Sequence, residues 1–454
     1  MMTLRRTALL LAVIVLGLAP PAPAEDPTPP TPPTPEQPAE ENAATYRALN
    51  LFGEVFERTR AAYVDEVEDK ALIEHALNGM LSELDPHSGY MNAEDFKDLS
   101  TQATGEFGGL GIQVTMDNGL VQVVAPIDET PAARAGILPG DYIVEIDGKP
   151  VMGMSLDEAV DLMRGAVGAP IEIRVAREGA EPKVLTLTRE TIPIHTVRHR
   201  IEEGNVGYIR ISSFNQKTAG EVAEALSALS EETGERPLIG YVLDLRTNPG
   251  GVLDGAIGAA DVFLERGEIV STRGRDEDRA TRENAGPGDL AGGLPMVVLI
   301  NAGTASAAEI VAGALQDHGR AVVMGTTSFG KGSVQTLMPL GPGQGAMRLT
   351  TARYYTPSGR SIQATGIEPD ITVEPARIAP LESDGWREAD LKGALANPNG
   401  DVAKEAPEAN EVKTPEEAAA EAAKQDYQLI RAVDLLRALA IARPAPEAET
   451  EAAL

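Results

Sequence analysis

The stretch Asn301–Gly319, NAGTASAAEIVAGALQDHG, places a serine where an apolar strand-like run gives way to a helix. Ser306 lies at the entry to that helix, where free backbone N–H groups and the positive end of the helix dipole stabilise negative charge. A reacting hydroxyl at this position gains an oxyanion donor from the N–H of the following residue, Ala307. The alternative is a plain N-cap with Glu309 as its capping-box partner. Taken alone, this segment favours the N-cap.

A serine nucleophile needs a base, and histidine is the usual one. None of the five histidines forms a persuasive triad motif with Ser306 and an acid; they are His75, His87, His195, His199 and His318. Lysine can serve instead if burial lowers its pKa, because desolvation disfavours the ammonium form. Lys331 lies between two glycines in SFGKGSVQTLMPL, just before a strand-like run.

The residues that follow this lysine have the period of a strand. In a strand, positions i, i+2 and i+4 share a face, so Lys331, Ser333 and Gln335 are expected to point the same way. Gln335 could then hold the lysine amine, or a water, by hydrogen bonding. The alternative is a loop lysine with a surface glutamine, which is the fate of most such residues.

A Gly-Gly pair follows the strand-like run YVLDLR. Gly250 and Gly251 occupy a predicted strand-to-helix turn, where glycine can expose backbone N–H groups to a ligand. In a functional interpretation the pair supplies a second oxyanion donor, and in a structural one it is only a tight turn. It is not a phosphate-binding P-loop, because the pattern G-x-x-x-x-G-K-[ST] is absent.

These segments lie in a region, residues 192–376, that alternates strands with helices. The predicted strands are Val206–Ile211, Tyr241–Leu245, Met296–Ile300 and Ala321–Met324. The predicted helices are Ala219–Leu229, Val252–Phe263 and Ala307–Gln316. Such alternation predicts an α/β core with crossover connections.

A smaller unit precedes this core and spans residues 105–191. Its strand-like period is broken by turn signals of the Asp-Asn-Gly and Pro-Gly-Asp kinds. Ser155, with Glu158 three residues on, predicts a capping box at the start of one helix. The strands Ile171–Ala176 and Val184–Leu187 close the unit, whose size is that of a small domain.

The two ends of the chain differ from these regions. Residues 1–24 carry a basic start, a short apolar run and an A-x-A signal, which predict a secretory signal peptide, with an uncleaved membrane anchor as the alternative. A Pro-rich linker is predicted at 25–44 and an N-terminal helical region at 45–104. An acidic linker at 377–412 leads to a C-terminal helix and tail at 413–454, which docks on the core or pairs with another subunit.

Composition removes several classes of function. The 454 residues include 39 Lys+Arg and 69 Asp+Glu, a net charge of −30. General nucleic-acid binding needs basic patches, so this chain is a poor candidate for it. The absence of cysteine excludes disulfides, thiolate nucleophiles and zinc–thiolate or iron–sulfur sites. The scattered histidines argue against a metal site, and no cofactor is expected.

Several motifs occur in a fixed order from about residue 46 to residue 375: MLSELDPHSGYM, GLGI, GILPGDYIVEIDG, VGYIRISSF, DLRTNPGG, NAGTASAAEIVAGALQD, SFGKGSVQ and YYTPSGRSIQATGIEPD. In this order they resemble the carboxy-terminal processing (tail-specific) proteases, which are exported serine peptidases with an embedded PDZ domain. The resemblance implies an α/β fold, with a crotonase-like core of ββα units, an inserted PDZ domain and flanking helices. It also implies that Ser306 is the nucleophile, Lys331 the general base and Gln335 the residue that positions the lysine.

The resemblance further implies an oxyanion hole made by the N–H of Ala307 and one from Gly250 or Gly251. One departure concerns the string around the nucleophile, which in the family is more often SASASE and is here TASAAE. Thr304 and Ala308 therefore replace the two outer serines, while the middle serine is retained. Because Ala308 has no hydroxyl, the fine positioning of the lysine is expected to differ from the family's.

The PDZ-like unit resembles modules that bind free C-termini. The backbone amides of Gly109, Leu110, Gly111 and Ile112 are expected to form a nest for a carboxylate, and the strand that follows can pair with an extended peptide. Arg164, at the end of the helix that forms the other wall of the groove, could relay substrate binding to the core.

The resulting expectation is a cofactor-free endopeptidase that cleaves exported proteins at or near their C-termini in the periplasm. Its expected partners are protein substrates bound through their C-termini and an activating adaptor protein, but no nucleic acid. The terminal helices favour a homodimer or a higher homo-oligomer. Two alternatives stay open: a non-catalytic PDZ adaptor, and a Ser-His-Asp hydrolase that uses His87.

Overall fold

A computed structural model describes residues 39–442, except 178, 235, 277, 279, 378–387, 389–390 and 396–425. The predicted signal peptide, most of the predicted Pro-rich and acidic linkers and the C-terminal tail lie outside these residues. In the part that is described, no helix combines the length and the apolar character needed to cross a membrane. The chain divides into two units, Met1–Ile73 and Glu74–Leu454.

The first unit contains helix α1 (Ala39–Ala62). This helix begins inside the stretch predicted as an extended linker, so the predicted boundary at residue 44 lies too late. The reason is that the prolines stop at Pro38 and the sequence that follows, AEENAA, contains good helix formers. Several apolar side chains of α1 are exposed, namely Tyr46, Leu49, Leu51, Phe52 and Val55. Helix α2 (Asp69–Ser82) crosses the division between the units.

A turn, a short strand and a helix connect α2 to the PDZ-like unit. The strand is β1 (Gly89–Met91) and the helix is α3 (Ala93–Thr104). Asn92 caps α3 by accepting the backbone N–H groups of Glu94 and Asp95, each at 2.9 Å. Gly105 ends the helix with φ of +73°, a left-handed conformation that favours glycine.

The PDZ-like unit is a small antiparallel domain with its own apolar core. Its sheet has the order β3-β4-β5-β7-β8, β6 pairs with β5, and a separate pair of strands, β2 and β9, joins the two ends of the unit. The strands are β2 (Glu106–Gly109), β3 (Ile112–Asp117), β4 (Leu120–Pro126), β5 (Tyr142–Ile146), β6 (Lys149–Pro150), β7 (Pro170–Ala176), β8 (Lys183–Thr188) and β9 (Glu190–Pro193). The helices are α4 (Pro131–Arg134) and α5 (Leu156–Met163), and α5 begins with the predicted capping box between Ser155 and Glu158.

The second domain is built on a six-stranded sheet of order β10-β11-β12-β15-β16-β19, parallel except at β10. Its strands are β10 (Val197–Glu202), β11 (Val206–Ile211), β12 (Gly240–Asp244), β15 (Met296–Ile300), β16 (Val322–Gly325) and β19 (Ile371–Thr372). Its connecting helices are α6 (Thr218–Glu232), α7 (Leu253–Asp261) and α8 (Ala307–Asp317). The predicted α/β fold class is confirmed.

Both faces of this sheet are covered. Successive residues of a strand point to opposite sides, so each strand contributes side chains to two separate apolar clusters. Leu243 and Val298 pack in the core beneath α6, α7 and α8. Val242 and Val297 pack on the opposite face against the C-terminal helix α9 (Tyr427–Ala442). Of the two arrangements predicted for this helix, the structure shows docking on the core. Residues 413–425 of the predicted C-terminal region lie outside the described residues.

A second sheet, which the sequence analysis did not predict, has the order β1-β18-β13-β14, with β17 paired to β18. Its strands are β13 (Gly267–Gly274), β14 (Thr281–Ala285), β17 (Ser333–Pro339) and β18 (Ala346–Tyr355). Strand β18 is central, because it pairs with β1, β13 and β17. Residues from the start of the unit and from the segment after Lys331 therefore meet on one strand.

Candidate active site

Ser306 lies at the start of α8, in the turn after β15. Its backbone has φ of +56° and ψ of −118°, which is rare for a residue with a side chain. An ordinary N-cap residue is extended instead. The side chain of Glu309 holds this conformation, because its Oε2 accepts the Ser306 N–H at 2.7 Å. The hydrogen bond from the Ser306 N–H to the Glu309 side chain is the one expected of a capping box. The backbone conformation of Ser306 is not that of an ordinary N-cap residue.

Glu309 is fully buried and holds two segments together. Its carboxylate accepts four hydrogen bonds, from the N–H groups of Ser306, Gly330 and Lys331 and from the hydroxyl of Ser328, at 2.5 to 2.9 Å. The serine turn and the lysine segment are thus joined through one side chain. Sequence reasoning treated Glu309 as a cap only; the available signal was a carboxylate inside an otherwise apolar helix.

Lys331 is half-buried in the segment just before β17. Its pKa lies below the ordinary lysine value, chiefly because burial desolvates the ammonium form and secondarily because Arg348 adds a nearby positive charge. The negative charges of Asp85 and Glu309 act in the opposite direction, but they are outweighed. A lowered pKa is what a lysine base requires, since only the neutral amine can accept a proton.

Gln335 lies on β17, directly opposite Thr350 of β18. Its Nε2 donates to the hydroxyl of Ser333 at 2.9 Å and to that of Thr350 at 3.2 Å. Ser333 and Gln335 therefore share a face, as the strand period predicts. The amide nitrogen of Gln335 is directed at these two hydroxyls and not at Lys331.

The glycine turn lies against the nucleophile. A Cβ placed on Gly250 would lie 3.0 Å from Cβ of Ser306 and 3.1 Å from the backbone nitrogen of Ala307. The N–H of Gly250 donates to Oδ1 of Asn248 at 2.9 Å, so the structure disfavours Gly250 as the second oxyanion donor. Within the described residues, neither Ala307 nor Gly251 donates its N–H to a protein acceptor, and these two groups remain as candidate donors.

Replacing Gly250 with alanine should lower kcat/KM for a peptide substrate by about a hundredfold or more. Gly250 has φ of +102°, and the added methyl group would crowd Ser306 and the space in front of the Ala307 N–H. Peptide hydrolysis by the purified variant measures the effect. Gly288→Ala is the matched control, because Gly288 has φ of +124° with no atom within 4 Å of the added Cβ. Equal losses in the two variants would mean that backbone strain alone explains the result.

The two departures from the family's serine string have structural explanations. The hydroxyl of Thr304 is buried, donates to the carbonyl of Leu245 at 2.8 Å and accepts the N–H of Asn301 at 3.0 Å. It therefore ties the serine turn to the end of β12. Ala308 is fully buried in the apolar core, where a hydroxyl would need a partner of its own.

The turn after α2 lies close to Lys331. Oδ1 of Asp85 accepts the N–H groups of His87 and Ser88 at 2.8 and 2.9 Å, and these hydrogen bonds form the turn that follows α2. The pKa of His87 is lowered, first by burial and then by the charge of Lys331. Sequence reasoning did not predict this proximity, and within the described residues no hydrogen bond joins His87 to Ser306.

The predicted carboxylate nest of the PDZ-like unit is a tight loop between β2 and β3. The carbonyls of Leu110 and Gly111 accept the N–H groups of Ala132 and Ile127, at 3.0 and 2.8 Å. In the described structure the N–H groups of these same two residues donate to no protein acceptor. Gly111 has φ of +74°, and a Cβ there would collide with Thr130 at 2.3 Å. The loop is thus held by its carbonyls while its amides stay available.

Arg164 follows α5 and connects the PDZ-like unit with α3. One of its terminal nitrogens lies 3.6 Å from Oδ1 of Asp98, and its guanidinium carbon lies 5.1 Å from the centre of the Phe107 ring. Its Nε is buried without a hydrogen-bond partner. The side chain thus lies between two regions with one donor unused.

Comparisons with known proteins identify the family of the chain. The model of peptidase family S41 matches residues 205–373, a PDZ model matches 122–177, and the model described as the activating protease CtpB N-terminal domain matches 30–95. A carboxy-terminal-processing protease of Bartonella bacilliformis is 55% identical over 331 residues, which are 73% of this chain and 76% of that protein. The chain belongs to the carboxy-terminal processing proteases of family S41. It is therefore a serine-type peptidase.

Two further proteins are similar to this chain at lower sequence identity. The carboxy-terminal processing protease CtpA of Bacillus subtilis is 36% identical over 325 residues, which cover 70% of this chain and 67% of that protein. Among solved structures, the photosystem II D1 C-terminal processing protease is 30% identical and has a TM-score of 0.41, with 72% of this chain and 92% of that one covered. Membership in a peptidase family removes the non-catalytic PDZ adaptor from the alternatives.

Proposed function

We propose that the protein is an endopeptidase that cleaves exported proteins at or near their C-termini with a Ser306–Lys331 dyad. The observation that carries the proposal is the Glu309 carboxylate, which binds the backbone N–H groups of both Ser306 and Lys331. Two segments that are distant in sequence are held together by it, one carrying a strained serine and the other a lysine with a lowered pKa.

The chemistry follows from these groups. Neutral Lys331 takes the proton from Oγ of Ser306 as this oxygen attacks the peptide carbonyl. The N–H groups of Ala307 and Gly251 stabilise the oxyanion, and the Lys331 ammonium then returns the proton to the leaving amine. Water attacks the acyl-enzyme by the same route, with Lys331 again as the base. Gln335 supports the lysine, and no cofactor takes part.

We assign recognition of the substrate's end to the PDZ-like unit. A free carboxylate would accept the unused N–H groups of Leu110 and Gly111, with Gly109 and Ile112 as the flanks of the loop. The peptide would then extend β3 as an added strand. The contacts of Arg164 with Asp98 of α3 and with the ring of Phe107 on β2 support a relay role for this side chain between the PDZ-like unit and the core.

A peptide with a free C-terminus should be cleaved with a KM about tenfold lower than the same peptide with an amidated C-terminus. The reason is that hydrogen bonds to a charged acceptor contribute about 1.5–3 kcal/mol, and amidation removes the charge. Steady-state kinetics on the matched pair give the comparison. Equal KM values for the two peptides would contradict carboxylate recognition by this loop.

Location and assembly are further parts of the proposal. The basic start, apolar run and A-x-A signal of residues 1–24 support export to the periplasm, with the inner membrane as the alternative location if the segment is not cleaved. The exposed Leu49, Phe52 and Val55 of α1 support a homodimer or a higher homo-oligomer through this helix. An activating adaptor protein is compatible with both.

Trapping tests the substrate class. The Ser306→Ala protein, purified from its own host, should retain exported proteins bound through their C-termini, and mass spectrometry identifies them. Capture of proteins whose C-terminal residues have been removed, with no loss of binding, would contradict recognition of the chain end.

A further inference from the structure

A series of hydrogen bonds connects three side chains, from Asp85 in the turn after α2 through Thr350 to Gln335. Nε2 of Gln335 donates to the hydroxyl of Thr350 at 3.2 Å, and this hydroxyl in turn lies 3.1 Å from Oδ1 of Asp85. Gln335 and Thr350 are direct partners across β17 and β18, so their side chains lie on the same face. None of these contacts was predicted from the sequence.

Asp85, the first residue of this hydrogen-bonded series, is held in place by several donors. Its carboxylate accepts the N–H groups of His87 and Ser88 and the Ser88 hydroxyl, the last at 2.7 Å. The Ser88 hydroxyl also accepts the backbone N–H of Thr350 at 3.1 Å. Burial alone would raise the pKa of Asp85, but the hydrogen bonds, first that of the Ser88 hydroxyl, lower it below its ordinary value. Asp85 is therefore ionised and only accepts hydrogen bonds.

The negative charge of Asp85 determines the direction of each hydrogen bond in the series from Asp85 through Thr350 to Gln335. Since Asp85 cannot donate, the single hydroxyl proton of Thr350 points at Asp85, and a lone pair of the Thr350 oxygen remains for Gln335. Only the NH₂ end of the amide can face that lone pair. A flipped amide would place its carbonyl oxygen against the Thr350 oxygen and repel it. Both N–H groups of Gln335 are thus used by Ser333 and Thr350, and Oε1 is the polar atom left over.

We propose that Asp85 is a positioning residue for the catalytic dyad, and that it acts through Thr350 to orient the amide of Gln335 so that Oε1 accepts a hydrogen bond from Lys331. This inference rests on the proposed function, because it assumes that Lys331 is the base. The amide oxygen then fixes the direction of the amine and leaves the nitrogen lone pair free for the Ser306 proton.

The charge of Asp85 does not explain its place beside Lys331. It raises the pKa of Lys331, which opposes the burial and the Arg348 charge that favour the neutral amine. If charge alone mattered, this carboxylate would hinder the base. The hydrogen-bond geometry is therefore the property that this site uses.

Thr350→Val is the sharpest variant, because valine has the shape of threonine and suits a strand but has no hydroxyl. Asp85 keeps its charge and its hydrogen bonds to His87 and Ser88, and the backbone N–H of Thr350 is unchanged. We expect kcat for a peptide substrate to fall about tenfold or more, with KM within about twofold and an unshifted pH profile. Thr350→Ser, which restores the hydroxyl, should recover activity to within about threefold.

A double-mutant cycle with Gln335→Ala shows whether Thr350 acts through the glutamine. In the Gln335→Ala protein, Thr350→Val should lower kcat by less than about twofold further, because the amide that Thr350 orients is already gone. Thermal unfolding followed by circular dichroism establishes that each variant is folded.

Two outcomes would overturn the positioning role: wild-type kcat in Thr350→Val, or losses that multiply in the double variant. Ser306→Ala, assayed beside these proteins, separates this inference from the proposed function. If Ser306→Ala is inactive and Thr350→Val is normal, only the positioning role is wrong. If Ser306→Ala still cleaves the peptide, the dyad and the positioning role are both wrong.

Discussion

Replacing Ser306 with alanine should lower kcat/KM for a peptide substrate by about 10⁴-fold or more, because no other group forms the acyl-enzyme. The fold should survive, since Glu309 would still accept the backbone N–H of residue 306 and α8 would keep its buried apolar contacts. Hydrolysis of a fluorogenic peptide with a free C-terminus gives the rate, and thermal unfolding gives the stability.

Ser227→Ala is the control for this serine substitution. Ser227 lies on α6, where its exposed hydroxyl donates to Glu231 at 3.3 Å, so its loss should leave the rate within about twofold of wild type. Substantial cleavage by Ser306→Ala would remove the nucleophile assignment, and with it the catalytic scheme.

Replacing Lys331 with methionine should lower kcat by about 10³-fold or more, because the variant keeps the length and apolar character of the side chain but has no proton acceptor. Lys331→Arg should be equally inactive, since a guanidinium stays protonated at any working pH. This second variant separates a base from a mere positive charge. Stopped assays over long incubations are needed to measure rates this low.

Two comparisons make the lysine experiment decisive. Lys183→Met is the control, because it removes an exposed lysine of β8. This variant should cleave the peptide at the wild-type rate. His87→Ala tests the histidine alternative, and a loss as large as that of Lys331→Met would contradict a lysine base. Activity retained in Lys331→Arg would show that the site needs a charge and not a base.

The local patterns of the sequence were sufficient to predict several elements of the core, including the helix that begins just after Ser306. Val206–Ile211 and Met296–Ile300 are strands with the predicted bounds, because both are apolar runs with clear turn residues at their ends. The start of α8 at Ala307 also agrees with its prediction. In each case the signal lies within a dozen neighbouring residues, where periodicity is informative.

Contacts between segments that are distant in the sequence could not be predicted from these local patterns. Glu309 accepts hydrogen bonds from residues on the lysine segment, and nothing in a helix cap indicates a second partner further along the chain. The same holds for Asp85, whose neighbour Thr350 lies on a strand that periodicity did not reveal. Gly250 and Gly251 look alike in sequence, and only the hydrogen bond to Asn248 distinguishes their N–H groups.

The dependence of kcat/KM on pH tests the neutral-lysine mechanism most directly, because it reports the ionisation of groups in the free enzyme. With a substrate that does not titrate, we predict that kcat/KM rises with pH through a pKa below the ordinary lysine value. Arg348→Gln should move this rise to higher pH, since it removes a positive charge that lowers the pKa of Lys331. A flat profile from about pH 6 to 9, unchanged in Arg348→Gln, would contradict the mechanism.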